Sequence, residues 1–238
     1  MYAKLFLLFS CIIMIACSKK ETPVYVQCPP IMPSPYRIAE ETEYRGPDTT
    51  FWYTKKFFYD ESGRLVMELT TQDGFTDTTA SYTYFTDRVK TPVSDILLNE
   101  RGLAISAFSG VSYTWSYNAE DFMTTQFFAY AKGSATYSYS YNCSNQDRVI
   151  TLYGATTGTH SDTTNFQFYT DKPNTIGNLN HGIAFYGKQN NTLIRSQART
   201  GQQVIHYTYY FDDMNRVQWQ VLTDTLGNIM YMKYTYQQ

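Results

Sequence analysis

Paired carboxylates are the residues of this sequence best suited to proton chemistry. They stand at Glu40, Glu41 and Glu43, at Asp60 and Glu61, and at Asp212 and Asp213. A glycosidase needs two such groups facing each other across a cleft. Most of these acids fall instead in turn-forming stretches, DESGR at 60–64 and DDMNR at 212–216, where Asp is expected to hydrogen-bond the reversing backbone. His160, His181 and His206, with Cys28 and Cys143, lack the spacing of metal ligands, so no metal or other cofactor is expected. No Ser-His-Asp motif, nucleophile elbow or phosphate-cradling Gly-rich loop is present. The expectation is a protein that is not an enzyme, with an enzyme acting on envelope polysaccharide as the alternative.

Rings offer a different chemistry. The 238 residues include 23 Tyr, 15 Phe and 3 Trp, and such side chains supply rigid contact area at little entropic cost. Tyr139, Trp115 and Trp219 are the candidate binding aromatics, for a glycan or an envelope protein. A net charge of −2 gives no electrostatic footprint for nucleic acid.

The elements that must position these rings have a period of two. Tyr113, Trp115 and Tyr117 share one side of a strand, and Ser112, Thr114 and Ser116 the other. Tyr137, Tyr139 and Tyr141 alternate with serines, and Tyr207, Tyr209 and Phe211 with His206, Thr208 and Tyr210. In RVQWQVLTD the same rule puts Val217, Trp219 and Val221 on one face. Each strand runs into a turn rich in Asp, Asn, Ser or Gly, so the unit is a hairpin. A hairpin cannot bury its aromatic face alone. The predicted fold is therefore an all-β antiparallel meander of about 14 strands, curled into a soluble barrel or strongly curved sheet.

Residues 1–16 read as a signal segment, with Lys4 ahead of an apolar run from Leu5 to Ala16. MIAC at 14–17 resembles the lipobox of bacterial lipoproteins, which implies acylation at Cys17 and a membrane contact made through lipid. Ser18 in place of Asp implies the outer membrane, with the periplasmic face favoured over the cell surface. Residues 17–36 carry five prolines and read as an extended tether, leaving 37–238 as the folded domain. Cys28 and Cys143 could pair in an oxidising compartment, and the sequence leaves both a disulfide and two thiols open.

The stretch YTYYFDDMNRVQWQVLTDTLGNIMYMKYTY at 207–236 resembles the YD repeat of RHS-type bacterial surface proteins, and FFYDESGRLVMEL is a partial copy. Lipobox, degenerate hairpins and NLNHGIAFYGKQNNTLI at 178–194 together resemble an uncharacterised family of bacterial lipoproteins with a porin-like fold. Gly187, Lys188, Asn191 and Leu193 look like that family's Gly-Lys and Asn-Leu positions. The resemblance implies a porin-like barrel and no particular activity.

Asp-Thr-Thr at 48–50, 77–79 and 162–164, and Asp-Thr-Leu at 224–226, suit turns that lead into strands. The same tripeptides resemble an acceptor signal for O-glycosylation of exported proteins, which implies sugars at Thr49, Thr78, Thr163 and Thr225.

Overall fold

The computed structural model describes residues 36–143, 145–155 and 158–237. The predicted signal segment, Cys17, the tether up to residue 35 and Cys28 lie outside them. Among the described residues, seventeen strands make one antiparallel sheet. The first nine are β1 Ile38–Arg45, β2 Thr50–Tyr59, β3 Leu65–Gln72, β4 Phe75–Ser81, β5 Thr83–Tyr84, β6 Arg88–Lys90, β7 Asp95–Leu98, β8 Ala104–Phe108 and β9 Ser112–Tyr117. There follow β10 Met123–Tyr130, β11 Gly133–Asn142, β12 Asn145–Ala155, β13 Gly158–Pro173, β14 Thr192–Arg199, β15 Val204–Phe211, β16 Val217–Asp224 and β17 Ile229–Tyr236.

The sheet is nearly closed. Strands pair with their sequence neighbours, and β17 returns to pair with β1, Tyr44 opposite Tyr231. β4 and β5 are two lengths of one strand bent at Tyr82; β4 pairs with β3 and β5 with β6. The count exceeds the expected 14 because β5 to β8 are only two to five residues long, and a uniform hairpin spacing overlooks them.

Register sorts the faces. Trp115, Gln126, Tyr137 and Thr151 form a cross-strand row turned inward, while Ser116, Thr125, Ser138 and Ile150 form the adjacent row turned outward. The next outward row, Ser106, Thr114, Phe127, Thr136 and Leu152, is again mostly hydroxyl-bearing. On β9 and β11, Tyr113, Trp115, Tyr137 and Tyr139 therefore face in and the intervening Ser and Thr face out, as the period of two predicts for a half-buried sheet.

One predicted face is corrected. Val217 is fully buried, but a bulge shifts the register between Tyr210 and Phe211, so that Phe211 opposes Val217 and Tyr210 opposes Trp219. An extra residue in a bulge reverses the alternation beyond it. Trp219 consequently lies on the outer face, its ring 5.8 Å from that of Tyr44 and under the ammonium of Lys233.

A single turn design recurs. Asp212 Oδ1 accepts the amides of Met214 and Arg216, and Oδ2 accepts from the Arg216 guanidinium. Asp60 holds Ser62 and Arg64 in the same way, and Asn99, Asn118 and Asp224 repeat the pair of amide bonds. The fourth residue of each has positive φ: Gly63, Gly102, Asp121, Asn215 and Gly227. This is the local physics beneath the sequence repeat, an Asx side chain that substitutes for a backbone acceptor while the chain reverses.

Successive connections of a meander alternate between the two ends of a barrel. Residues 174–191, between β13 and β14, form an internal stopper at the end where β1 begins. Its Asn180 carbonyl accepts from Ile38, its Gly182 carbonyl from Leu65, its Lys188 amide donates to Asp121, and its Thr175 hydroxyl accepts from Val217. Phe185, on the 3-10 turn Ala184–Tyr186, packs with Val89, Ile96, Ala104 and Trp115. A larger cluster around Ile38, Phe57, Leu65, Leu193 and Val217 packs Ile176 and Ile183 of the stopper.

Candidate functional site

Above the stopper the barrel contains two adjoining hollows of about 340 and 410 Å³, which share Met123, Gln126, Asn178 and Tyr186 as walls. Each is of the size that holds a small ligand. β9 contributes Tyr113 and Trp115, whose rings lie parallel (7°) with centroids 5.9 Å apart. β10 and β11 contribute Gln126 and Tyr139, whose hydroxyl donates to Gln126 Oε1 at 3.0 Å. From β15 and β16, Tyr209 and Gln220 complete the far wall, and Gln220 is held by the hydroxyls of Tyr209 and Tyr234.

The stopper provides the floor and most of the carboxamides. Gln189 Oε1 accepts the Asn178 amide, Asn178 Nδ2 donates to Gly187, and Asn190 Oδ1 accepts the Gln146 amide. Among the described residues, Lys188 is the one charged side chain lining the two hollows, and its ammonium lies 3.9 Å from Asp121. Burial pushes the Tyr139 hydroxyl up to about 12, with Tyr137 adding to the effect, and pushes Tyr186 to about 12 with help from Tyr82 and Tyr113. These phenols are neutral donors and acceptors at physiological pH. Apart from Lys188, which is paired with Asp121, the surface is thus uncharged, aromatic and rich in carboxamides. It can stack an apolar ring face and hydrogen-bond neutral hydroxyls, but it offers little to an anion.

The carboxylates sit elsewhere. Glu41 and Glu43 are on the β1 wall, where the Tyr53 hydroxyl meets Glu41 at 3.4 Å, Arg45 pairs with Glu43, and His181 Nε2 lies 3.7 Å from Glu41. Burial raises the Tyr53 phenol well above its ordinary value, reinforced by both carboxylates. Lys55 holds Glu68 at 3.4 Å on the neighbouring strands. Glu40 pairs outward with Lys56, and Asp60 and Asp212 are committed to their turns.

Of the sequence candidates, the structure brings Tyr139 and Trp115 to adjoining hollows and places Trp219 on the outside. Thr49, Thr78 and Thr225 are exposed, the first with φ of 50°; Thr163 is half-buried on β13, its carbonyl accepting from the Thr200 amide. Cys143 stands at the β11–β12 turn with φ of 49°. Gln126, Gln220 and the stopper amides were not anticipated. The available signal was the interruption of the two-residue period at 174–191 by a run of Asn, Gln and Gly.

No protein-family model matches the sequence, and no curated protein is detectably similar to it. Among solved structures, a porin-like protein from Bacteroides uniformis is similar, with a TM-score of 0.60 and 18% identity over 87% of this chain and 99% of that one. At that identity the likeness concerns the fold, a porin-like barrel.

Proposed function

We propose that this is a lipid-anchored envelope protein whose stoppered barrel binds an uncharged carbohydrate without catalysing a reaction on it. The observation that carries the reading is the lining of the two hollows, where Tyr113, Trp115 and Tyr139 stand among carboxamides and a single cation. Rings stack on the C–H faces of sugars, and fixed carboxamides match their hydroxyls. The mostly hydroxyl-bearing outer rows across β8 to β12 support a barrel standing outside the bilayer on that side, since a membrane barrel carries a continuous apolar outward band. An enzyme acting on the same polymer would need two carboxylates turned to the hollow, and Glu41 and Glu43 are occupied on the β1 wall.

The address rests on the sequence: acylation at Cys17, outer-membrane retention and a periplasmic orientation. Cys17→Ala should leave an unacylated precursor that is released on fractionation, and a variant still held in the outer membrane would defeat the anchor. The exposed threonines Thr49, Thr78 and Thr225, with Thr163, are proposed glycan acceptors; intact mass from the native host should fall when they are replaced by Val. Binding is tested by calorimetric titration of neutral oligosaccharides into the protein and into Tyr139→Ala. Saturable binding that is lost in the variant supports the reading, and equal binding by both proteins contradicts it.

A further inference from the structure

The barrel wall is uneven, and the second hollow lies where it is lowest. β6 to β9 are three, four, five and six residues long, against ten, eleven and sixteen for β11, β12 and β13. The tips of the two short hairpins, through Thr91, Val93 and Ser94 on one and Ser109 on the other, line the hollow itself. Beside them β4 is paired on one edge only, with β3, because β6 pairs with β5 and stops short. The wall of the hollow is consequently low on this side, at a lip where Val93 is 75% exposed, and Phe75 of the β3–β4 hairpin is 78% exposed.

We propose that the site takes an internal segment of a linear, neutral polysaccharide, whose chain continues out over the low wall, and is not a capped pocket for a mono- or disaccharide. The inference rests on the carbohydrate reading above and adds the ligand's length and exit. Tyr113 and Trp115 run along β9 from the tip inward, so the aromatic wall of the hollow extends in the direction of the opening. Apolar side chains at the lip give the emerging chain further surface that a small sugar would not reach. A single paired cation in the lining selects against uronic or sulfated chains, whose charges would lose water without gaining a partner.

The test is a size series of α1,4-glucan, β1,4-glucan and β1,4-mannan oligosaccharides, from two to eight units, titrated into the full mature protein and into Val93→Glu. The exposed position of Val93 lets the variant fold, which a melting curve verifies. For whichever series binds, affinity should rise about tenfold between the dimer and the hexamer, the scale of one or two added ring contacts. Val93→Glu should weaken the hexamer by roughly threefold or more relative to whatever it costs the dimer. Saturable binding that is as tight for the dimer as for the octamer, or an equal loss for both lengths, overturns the chain proposal and leaves the binding site standing. Failure of every series to bind overturns both.

Discussion

The amide of Leu65 donates to the carbonyl of Gly182 across 3.1 Å, joining the first residue of β3 to the middle of the internal stopper. Gly182 has φ of 70°, and a Cβ there would lie 2.7 Å from the Leu65 nitrogen and 2.9 Å from the Gly63 carbonyl. Backbone on two sides leaves nothing that can give way. Gly182→Ala should therefore destabilise the protein by about 3 kcal/mol in chemical denaturation, combining left-handed strain with overpacking. Gly201→Ala, with the same φ but open space around it, should cost about 1 kcal/mol. Equal costs at the two sites would mean that the stopper is not clamped to the wall.

The Asx turns give the stability an acid limit. The Asp212 carboxyl is pushed up by burial, but the Arg216 amide and guanidinium outweigh this and hold it below its ordinary value; the Arg64 amide does the same for Asp60, and the Asn228 side chain for Asp224. A group whose folded pKa is depressed contributes stability above its unfolded value, near 3.9 for Asp, and loses it as pH falls through the folded one. Melting temperature should hold above about pH 5 and fall below pH 4. Asp212→Ala should cost about 1–2 kcal/mol at neutral pH and flatten that acid slope.

Much of this architecture was legible because it is local. Alternation in SYTWSY and YSYSY marks strands and their inward rings, and DDMNR marks a turn whose side-chain bonds form within five residues. The position of Trp219 was not legible, because one bulge at the start of β16 depends on how Phe211 and Val217 pair across strands. The stopper was hidden for a similar reason: residues 174–191 have no period, and their bonds reach Ile38, Leu65, Asp121 and Val217. The site's aromatic half could be named in advance. Its carboxamide half depends on contacts between residues far apart in the chain.

Inward and outward rings should separate in a pair of variants. Tyr139→Phe removes the hydroxyl bonded to Gln126 and should cost about 1 kcal/mol of stability together with a measurable loss of oligosaccharide affinity. Trp219→Ala should cost about 1–2 kcal/mol, through its contacts with Tyr44 and Lys233, and leave affinity unchanged. Affinity lost in the second and kept in the first would move the binding face to the outside of the barrel.

The buried phenols set an alkaline limit of opposite sign. Tyr139, Tyr186 and Tyr236 are raised to about 12, chiefly by burial. Because their folded values exceed the unfolded one, near 10, their contribution is complete below pH 10 and is lost as pH rises towards 12. Ultraviolet titration should show these buried phenols ionising only in a cooperative unfolding step above about pH 11. Ionisation of all tyrosines near pH 10 with the fold intact would show that water reaches the interior freely.

The most direct measurement uses tryptophan as a reporter inside the barrel. Trp115 lies in the wall of the second hollow, whereas Trp219 is outside and Trp52 is exposed, beside Arg45. In the Trp52→Phe, Trp219→Phe double variant, Trp115 is the sole tryptophan, and red-edge excitation spares the tyrosines. Titration with the neutral oligosaccharide hexamers should shift or quench its emission saturably, with the same affinity that calorimetry gives for the unaltered protein. Saturable binding by calorimetry with Trp115 emission unchanged would place the ligand away from the hollow and contradict the account.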